Sequence, residues 1–177
     1  MKPKIAVDIA YYSGEVEPRL VAYLVGMLST AHDAETTVLF IDTPGGDAGL
    51  IETCVFLLRA IERKTRLYVV NTSEICSAGV DIFIQCENRA MLSRSLFLIH
   101  KSRSYLDSAT ADNAEEVAKA LKKLDKTLEK DMFELIKMNK ADMEKFNKGG
   151  DVTIQGHAKC KKAGLVNVDI RDINEIL

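Results

Sequence analysis

The sequence is poor in most features that mark a specialised chain. Its 177 residues include only four cysteines, Cys54, Cys76, Cys86 and Cys160, and no C-x-x-C spacing. Cys54, Cys76 and Cys86 fall in apolar stretches expected to be helical, where a thiol behaves as a small hydrophobe. They read as reduced thiols of a cytoplasmic protein. No apolar run approaches the roughly 20 residues of a membrane span. Residues 1–7 carry two lysines but lack the apolar core and small-residue cleavage site of an export signal, so neither membrane insertion nor export is expected. Charge of one sign is missing too: 24 Lys and Arg stand against 26 Asp and Glu, interspersed, for a formal net charge of -2. That excludes a basic stripe for nucleic acid and an acidic tail. There is no repeat, linker or low-complexity segment, and residues 1–177 suit a single domain whose core needs no disulfide or metal.

What is present alternates strand with helix. A short β-branched run over residues 4–9 is followed by Glu17-Pro18 and a helical face of Leu20, Val21, Leu24, Val25 and Leu28. Residues 36–41 form a continuous apolar strand, of the kind buried on both faces of a parallel sheet. It runs into Asp42-Thr43-Pro44-Gly45-Gly46-Asp47, where proline bars helix from the preceding residue and two glycines free the backbone to point N–H groups outward. Helical spacing resumes over 50–61, a strand follows at 67–70, and a helix at 77–86. Short strands are expected at 90–92 and 95–99, the second ending on His100. Residues 109–139 then carry a 3.6-residue stripe (Ala114, Val117, Ala118, Leu121, Leu124, Leu128, Met132, Leu135 and Ile136) on a heavily charged helix. Such a helix would be about 45 Å long, so part of it should project, and its stripe should meet another subunit or the sheet. A short helix at 155–163, closed by Gly164, and a last strand at 165–168 complete the pattern.

Ser77 lies at a strand-to-helix junction, in Glu74-Ile75-Cys76-Ser77-Ala78-Gly79-Val80. Such a serine has an exposed hydroxyl, unpartnered N–H groups nearby and the positive end of a helix dipole. It is either a nucleophile or a plain N-cap. A serine hydrolase also needs an imidazole, a carboxylate and N–H donors for the oxyanion. Of the three histidines, His32 sits at a polar helix end and His157 opens a lysine-rich helix. His100 instead terminates the apolar strand Leu96-Phe97-Leu98-Ile99, which delivers its ring to the sheet edge where ligand crevices form. The Gly45-Gly46 turn ends its own strand at that same edge.

Ile41-Asp42-Thr43-Pro44-Gly45-Gly46-Asp47, Ser77-Ala78-Gly79 and Leu98-Ile99-His100, in that order, resemble the signatures of the Clp-type serine peptidases, within the Clp/crotonase superfamily. That family's third catalytic residue is an Asp shortly before a helix ending in Gly-Leu-Val, and Asp151 and Ala163-Gly164-Leu165-Val166 fit that pattern. The resemblance implies an α/β fold of repeated β-turn-α units with residues 109–139 as a projecting handle helix between subunits. It implies a serine-type endopeptidase acting on peptides or unfolded proteins, without cofactor or metal. Ser77 would be the nucleophile and His100 the general base. Asp151, not the nearer Asp107, would orient the histidine, and the N–H groups of Gly46 and Ala78 would form the oxyanion hole. A homo-oligomer is expected. The chain begins almost at its first strand, and Lys101-Ser102-Arg103-Ser104-Tyr105 stands where the family usually has Gln-Pro and glycines. Both departures speak against a double ring fed by a Clp-type ATPase partner. Two other readings stay open: an inactive or weakly active assembly subunit, and a crotonase-like acyl-CoA enzyme.

Overall fold

The β-branched and apolar runs of the first half each become a parallel strand, and the helices between them cross back over one face. The structure, a computed structural model, describes residues 5–103, 111–175 and 177. In order these form β1 (Ile5–Ser13), α1 (Pro18–Thr30), β2 (Ala34–Thr43), α2 (Ile51–Glu62), β3 (Arg66–Cys76), α3 (Ala78–Phe83), β4 (Asn88–Met91) and β5 (Leu96–Ile99). After the undescribed residues 104–110 come α4 (Ala111–Leu135), α5 (Lys140–Asn147), β6 (Val152–Gln155), α6 (His157–Lys162) and α7 (Ile170–Asn174). The sheet order is β1-β2-β3-β5-β6, with β4 also paired to β3. All pairs are parallel except β5 with β6.

Both faces of the central strands are covered, which explains their unbroken apolar character. Leu39, Ile41, Leu67 and Val69 share the main core with Leu20 and Leu24 of α1 and Leu58 and Ile61 of α2. On the other face Val38, Val70 and Ala90 pack against Ile173 of α7. Alternate residues of one strand thus feed two separate clusters.

β3 is the element that positions the site, and it is longer than its apolar run of 67–70 suggests. Its first half pairs with β4 through Asn71 opposite Met91, and its second with β5 through Cys76 opposite Leu98. The polar stretch between is held by specific bonds. Asn71 is fully buried and donates from Nδ2 to the Leu96 carbonyl at 2.8 Å. Thr72 Oγ1 donates to the Ile41 carbonyl, and Glu74 N–H to Asp42 Oδ1. These bonds offset part of the cost of burying polar groups, although Asn71 Oδ1 is buried without a hydrogen-bond partner; the strand continues to Cys76 and hands over Ser77 at its end. Cys76 therefore closes a strand and does not sit in a helix.

Three further expectations change. The long helix ends at Leu135, not near Asn139, and positions 109 and 110 lie outside the described residues. Beyond it Lys137 N–H donates to the Ala163 carbonyl instead of to its own helix, and the Asn139 side chain caps α5 by accepting from Asp142 N–H. Residues 152–155 form β6, a strand too short to stand out by pattern; only its alternation of buried Val152 and Ile154 with exposed neighbours shows it. Residues 165–168 form no strand: Asn167 and Val168 both donate to the Arg89 carbonyl, and the Arg89 guanidinium donates to the carbonyls of Leu165 and Gly164. Arg89, with the Asn167 side chain bonded to Arg89 N–H and the Glu87 carbonyl, does the tethering that a ladder would do.

Candidate active site

The ends of β3, β5 and β6 lie side by side, and their register brings three residues together. Cys76 pairs with Leu98, and the next residue, Ser77, donates its N–H back to the Leu98 carbonyl at 2.9 Å. On the other side of β5, Ile99 is opposite Val152 of the antiparallel β6. The residues just beyond those pairs are His100 and Asp151, so adjacent strands, about 4.8 Å apart, deliver both to one edge. His100 Nδ1 lies 3.6 Å from Asp151 Oδ1. That is an electrostatic contact, longer than a hydrogen bond, and Nδ1 is buried without a hydrogen-bond partner.

Ser77 has φ 51° and ψ -129°, the sole positive φ among described residues other than glycine. A residue with a Cβ held there costs on the order of 1–3 kcal/mol. Its side chain makes no capping bond to α3, so the N-cap reading gives no reason for the strain. The turn that follows aims the side chain into a cavity of about 300 Å³ lined by Ser77, Ala78, His100, Gly46 and residues of α4.

The glycine turn fits against Ser77. Gly45 has φ 94°, and a Cβ there would stand 2.7 Å from both the Cys76 carbonyl and the Ser77 Cβ. Gly46, at φ 148°, leaves room for Val16: a Cβ would meet the Val16 carbonyl at 2.5 Å. Val16 N–H donates to the Gly45 carbonyl and Asp47 N–H to the Val16 carbonyl. The Gly46 N–H is not consumed by that bridge, and the Ala78 N–H opens α3 as one of the first amides without an intrahelical acceptor. Both residues line the cavity.

Two residues given no role in the sequence analysis enter the site. Arg103 bonds Asp151 Oδ1, the same oxygen that faces His100. Burial first, and then the Arg103 charge, push the His100 pKa below its ordinary value, with Asp151 opposing. Asp81 of α3 also lines the cavity, and burial pushes its carboxyl up to about 7, with Asp131 adding to the rise. Its signal was available: it is the one charge inside the buried run Val80-Asp81-Ile82-Phe83-Ile84. Arg103 had none beyond closeness to His100.

The other candidates fall elsewhere. His32 is exposed beside Asp33 at 3.4 Å, and His157 begins α6. Asp107 lies outside the described residues. Cys76, next to Ser77 in sequence, is buried with its thiol pushed up to about 11, which keeps it from acting as a thiolate at neutral pH. Cys54 and Cys160 are raised likewise by burial. Among the described residues no group of His, Cys, Asp and Glu side chains is gathered closely enough to hold a metal ion.

The half of α4 nearest the body covers the site. Leu121, Leu124, Leu128 and Met132 line the cavity, and Met132 and Ile136 are buried in the core. That part of the stripe meets its own subunit.

The sequence matches the Clp protease family over residues 9–171, and the chain belongs to that family. Its architecture is that of a Clp proteolytic subunit. A ClpP1 point mutant from Listeria monocytogenes superposes with a TM-score of 0.71 at 21% identity, over 97% of this chain and 94% of that one. No curated protein matches the sequence significantly. No described helix is long and apolar enough to cross a membrane.

Proposed function

We propose that this Clp-family protease is a serine-type endopeptidase working through an acyl-enzyme on Ser77. The Ser77 hydroxyl attacks the scissile carbonyl while His100 Nε2 takes its proton. The Gly46 and Ala78 N–H groups receive the resulting oxyanion, and collapse expels the amine with the proton returned by His100. Water repeats the sequence to release the acid. Asp151 faces the Nδ1 side of the imidazole at 3.6 Å and would orient it once that contact closes to a hydrogen bond. The observation that carries this reading is the strained Ser77 facing a cavity that His100 also lines. Strain of that kind persists only where the surroundings enforce it, and functional sites are where it gathers.

One observation favours a second reading, a weakly active assembly subunit. Asp151 is engaged by Arg103 and stands 3.6 Å from His100, so the histidine is not held as a working base requires. Intact mass after fluorophosphonate treatment decides between them. A single adduct, lost in Ser77→Ala, supports the peptidase; an unlabelled, folded wild type leaves the assembly reading.

The substrate would be a peptide or unfolded protein reaching the cavity beneath α4. We also place the chain in a homo-oligomer. Ile9 and Tyr11 on the edge strand β1, Val25 on α1 and Phe56 on α2 are each at least half exposed, more large apolar surface than a solitary small subunit usually shows. A single monodisperse monomer in light scattering would remove that part of the proposal.

A further inference from the structure

The cavity beside Ser77 holds a carboxylate that the reaction does not use. Its walls are apolar, from Val80, Leu121, Leu124, Leu128 and Met132. Four carboxylates and two cations also line it: Asp47, Asp81, Asp125 and Glu129 against Lys101 and Arg103. All but one of these are engaged by another residue. Asp47 accepts from Gly49 N–H, Asp125 from Ser102 N–H, Glu129 pairs with Lys101 at 3.1 Å, and Arg103 is bonded to Asp151. Asp81 differs: its carboxylate is bonded only to its own backbone N–H, and no described Lys, Arg or His stands within ion-pair distance of it. It is mostly buried on α3, four residues after the nucleophile, in a helix otherwise made of Ala, Gly, Val, Ile and Phe.

We propose that Asp81 selects substrates with a basic side chain, Lys or Arg, on the residue that supplies the acyl group. The inference rests on the peptidase reading above. An acyl carbonyl held by the N–H groups of Gly46 and Ala78 sets its own side chain at the mouth of the cavity those residues line. An aliphatic stem then lies along Leu124, Leu128 and Met132, and a cationic end meets Asp81. Lysine and arginine are built for this, with an apolar stem and a charged head. A carboxylate buried without a cation is costly, and a bound cation offsets that cost, whereas an uncharged side chain leaves it in place. The raised proton affinity of Asp81 describes the empty pocket. Arrival of a cation favours the ionised form. The other charges facing Asp81 are Asp131 on α4, which is of the same sign, and the engaged groups named above.

The test compares kcat/KM at pH 8 for fluorogenic peptides that differ only in the acyl-side residue, Lys, Arg, norleucine or Leu. Wild type should favour Lys and Arg over norleucine by about tenfold or more, since a site built for a polar partner rejects the analogue that lacks it. In Asp81→Asn that ratio should collapse toward one, and Asp81→Glu should retain a cation preference. A wild type that favours norleucine or Leu, or an Asp81→Asn variant with the wild-type ratio, overturns the proposal while leaving the peptidase intact. If Asp81→Asn does not fold by circular dichroism, the wild-type ratio alone decides. Absence of fluorophosphonate labelling is a failure of the peptidase reading instead. The pocket is then read by binding of Nα-acetyl-lysine amide against Nα-acetyl-norleucine amide, followed through the amide resonances of residues 78–83. Equal affinity of the two amides ends the proposal.

Discussion

His100 and Arg103 face one carboxylate oxygen, the Oδ1 atom of Asp151. The arginine is bonded to it and the histidine stands 3.6 Å away. A guanidinium in that position does two things: it occupies the carboxylate that should orient the imidazole, and its charge opposes protonation of the ring.

Removing that charge should therefore change the pH dependence in a defined direction. His100 must be neutral to accept a proton, so kcat/KM rises with pH through the His100 pKa, which lies below its ordinary value. Arg103→Ala removes one of the two causes of the depression and leaves Asp151 free for the imidazole. The acid limb of the kcat/KM profile should move to higher pH, with the rate above the limb equal to or greater than wild type. A limb that stays in place would show that Arg103 does not reach His100.

Ser77 pays for its position in backbone strain, and the strain can be measured apart from chemistry. Glycine tolerates φ 51° and ψ -129° where a residue with a Cβ does not. Ser77→Gly should be more stable than Ser77→Ala by about 1 kcal/mol, with both inactive. Urea midpoints of the two variants give the comparison. Equal midpoints would mean that the turn relaxes once the hydroxyl is gone.

The Gly45 turn supports Ser77 from behind. A Cβ there would lie 2.7 Å from the Ser77 Cβ, so Gly45→Ala must displace either the turn or the serine. We expect a loss of about 1–3 kcal/mol in stability together with a fall in kcat of tenfold or more at saturating substrate. A folded variant with full activity would show that the turn does not set Ser77.

Asp81 gives a stability signature independent of substrate. Its folded pKa is about 7, raised from 3.8, so between those values the folded state keeps a proton that the unfolded state has lost. Stability then falls as pH climbs from about 4 to about 7, and the penalty is fully present above that. Asp81→Asn should stabilise the protein at pH 8 by on the order of 2 kcal/mol, discounted for partial exposure, and by little at pH 4. Denaturant unfolding at the two pH values measures the difference. An equal effect at both would mean that Asp81 titrates normally.

Leu128 of α4 lines the cavity and packs on the core. Leu128→Glu should put a charge in the substrate path and lower kcat/KM by about a hundredfold, with helical content retained by circular dichroism; the desolvation of an unpaired carboxylate sets that scale. Retained activity would place the substrate path elsewhere.

Much of the active edge was legible as sequence, for a local reason. Apolar runs ending in Gly45-Gly46 and His100, with Ser77 at a strand-to-helix junction, name the carboxyl ends of parallel strands, and that architecture gathers those ends on one edge. Asp151 was reachable only through the family pattern, because β6 is four residues long and antiparallel to a strand distant in sequence. Its place opposite His100 is a matter of register, which no local pattern carries. The same holds for the long helix. Its periodicity declared an apolar stripe, but which residues of the stripe would roof the cavity depended on where the chain returned after the undescribed segment. The length of β3 beyond Val70 was hidden because Asn71, Thr72 and Glu74 are polar, and only their bonds to β2 and β5 make burial tolerable. Composition and periodicity determined which residues seek the core and where the backbone must turn. Tertiary structure decided which charges meet: Arg103 on Asp151, and Asp81 with no cation among the described residues.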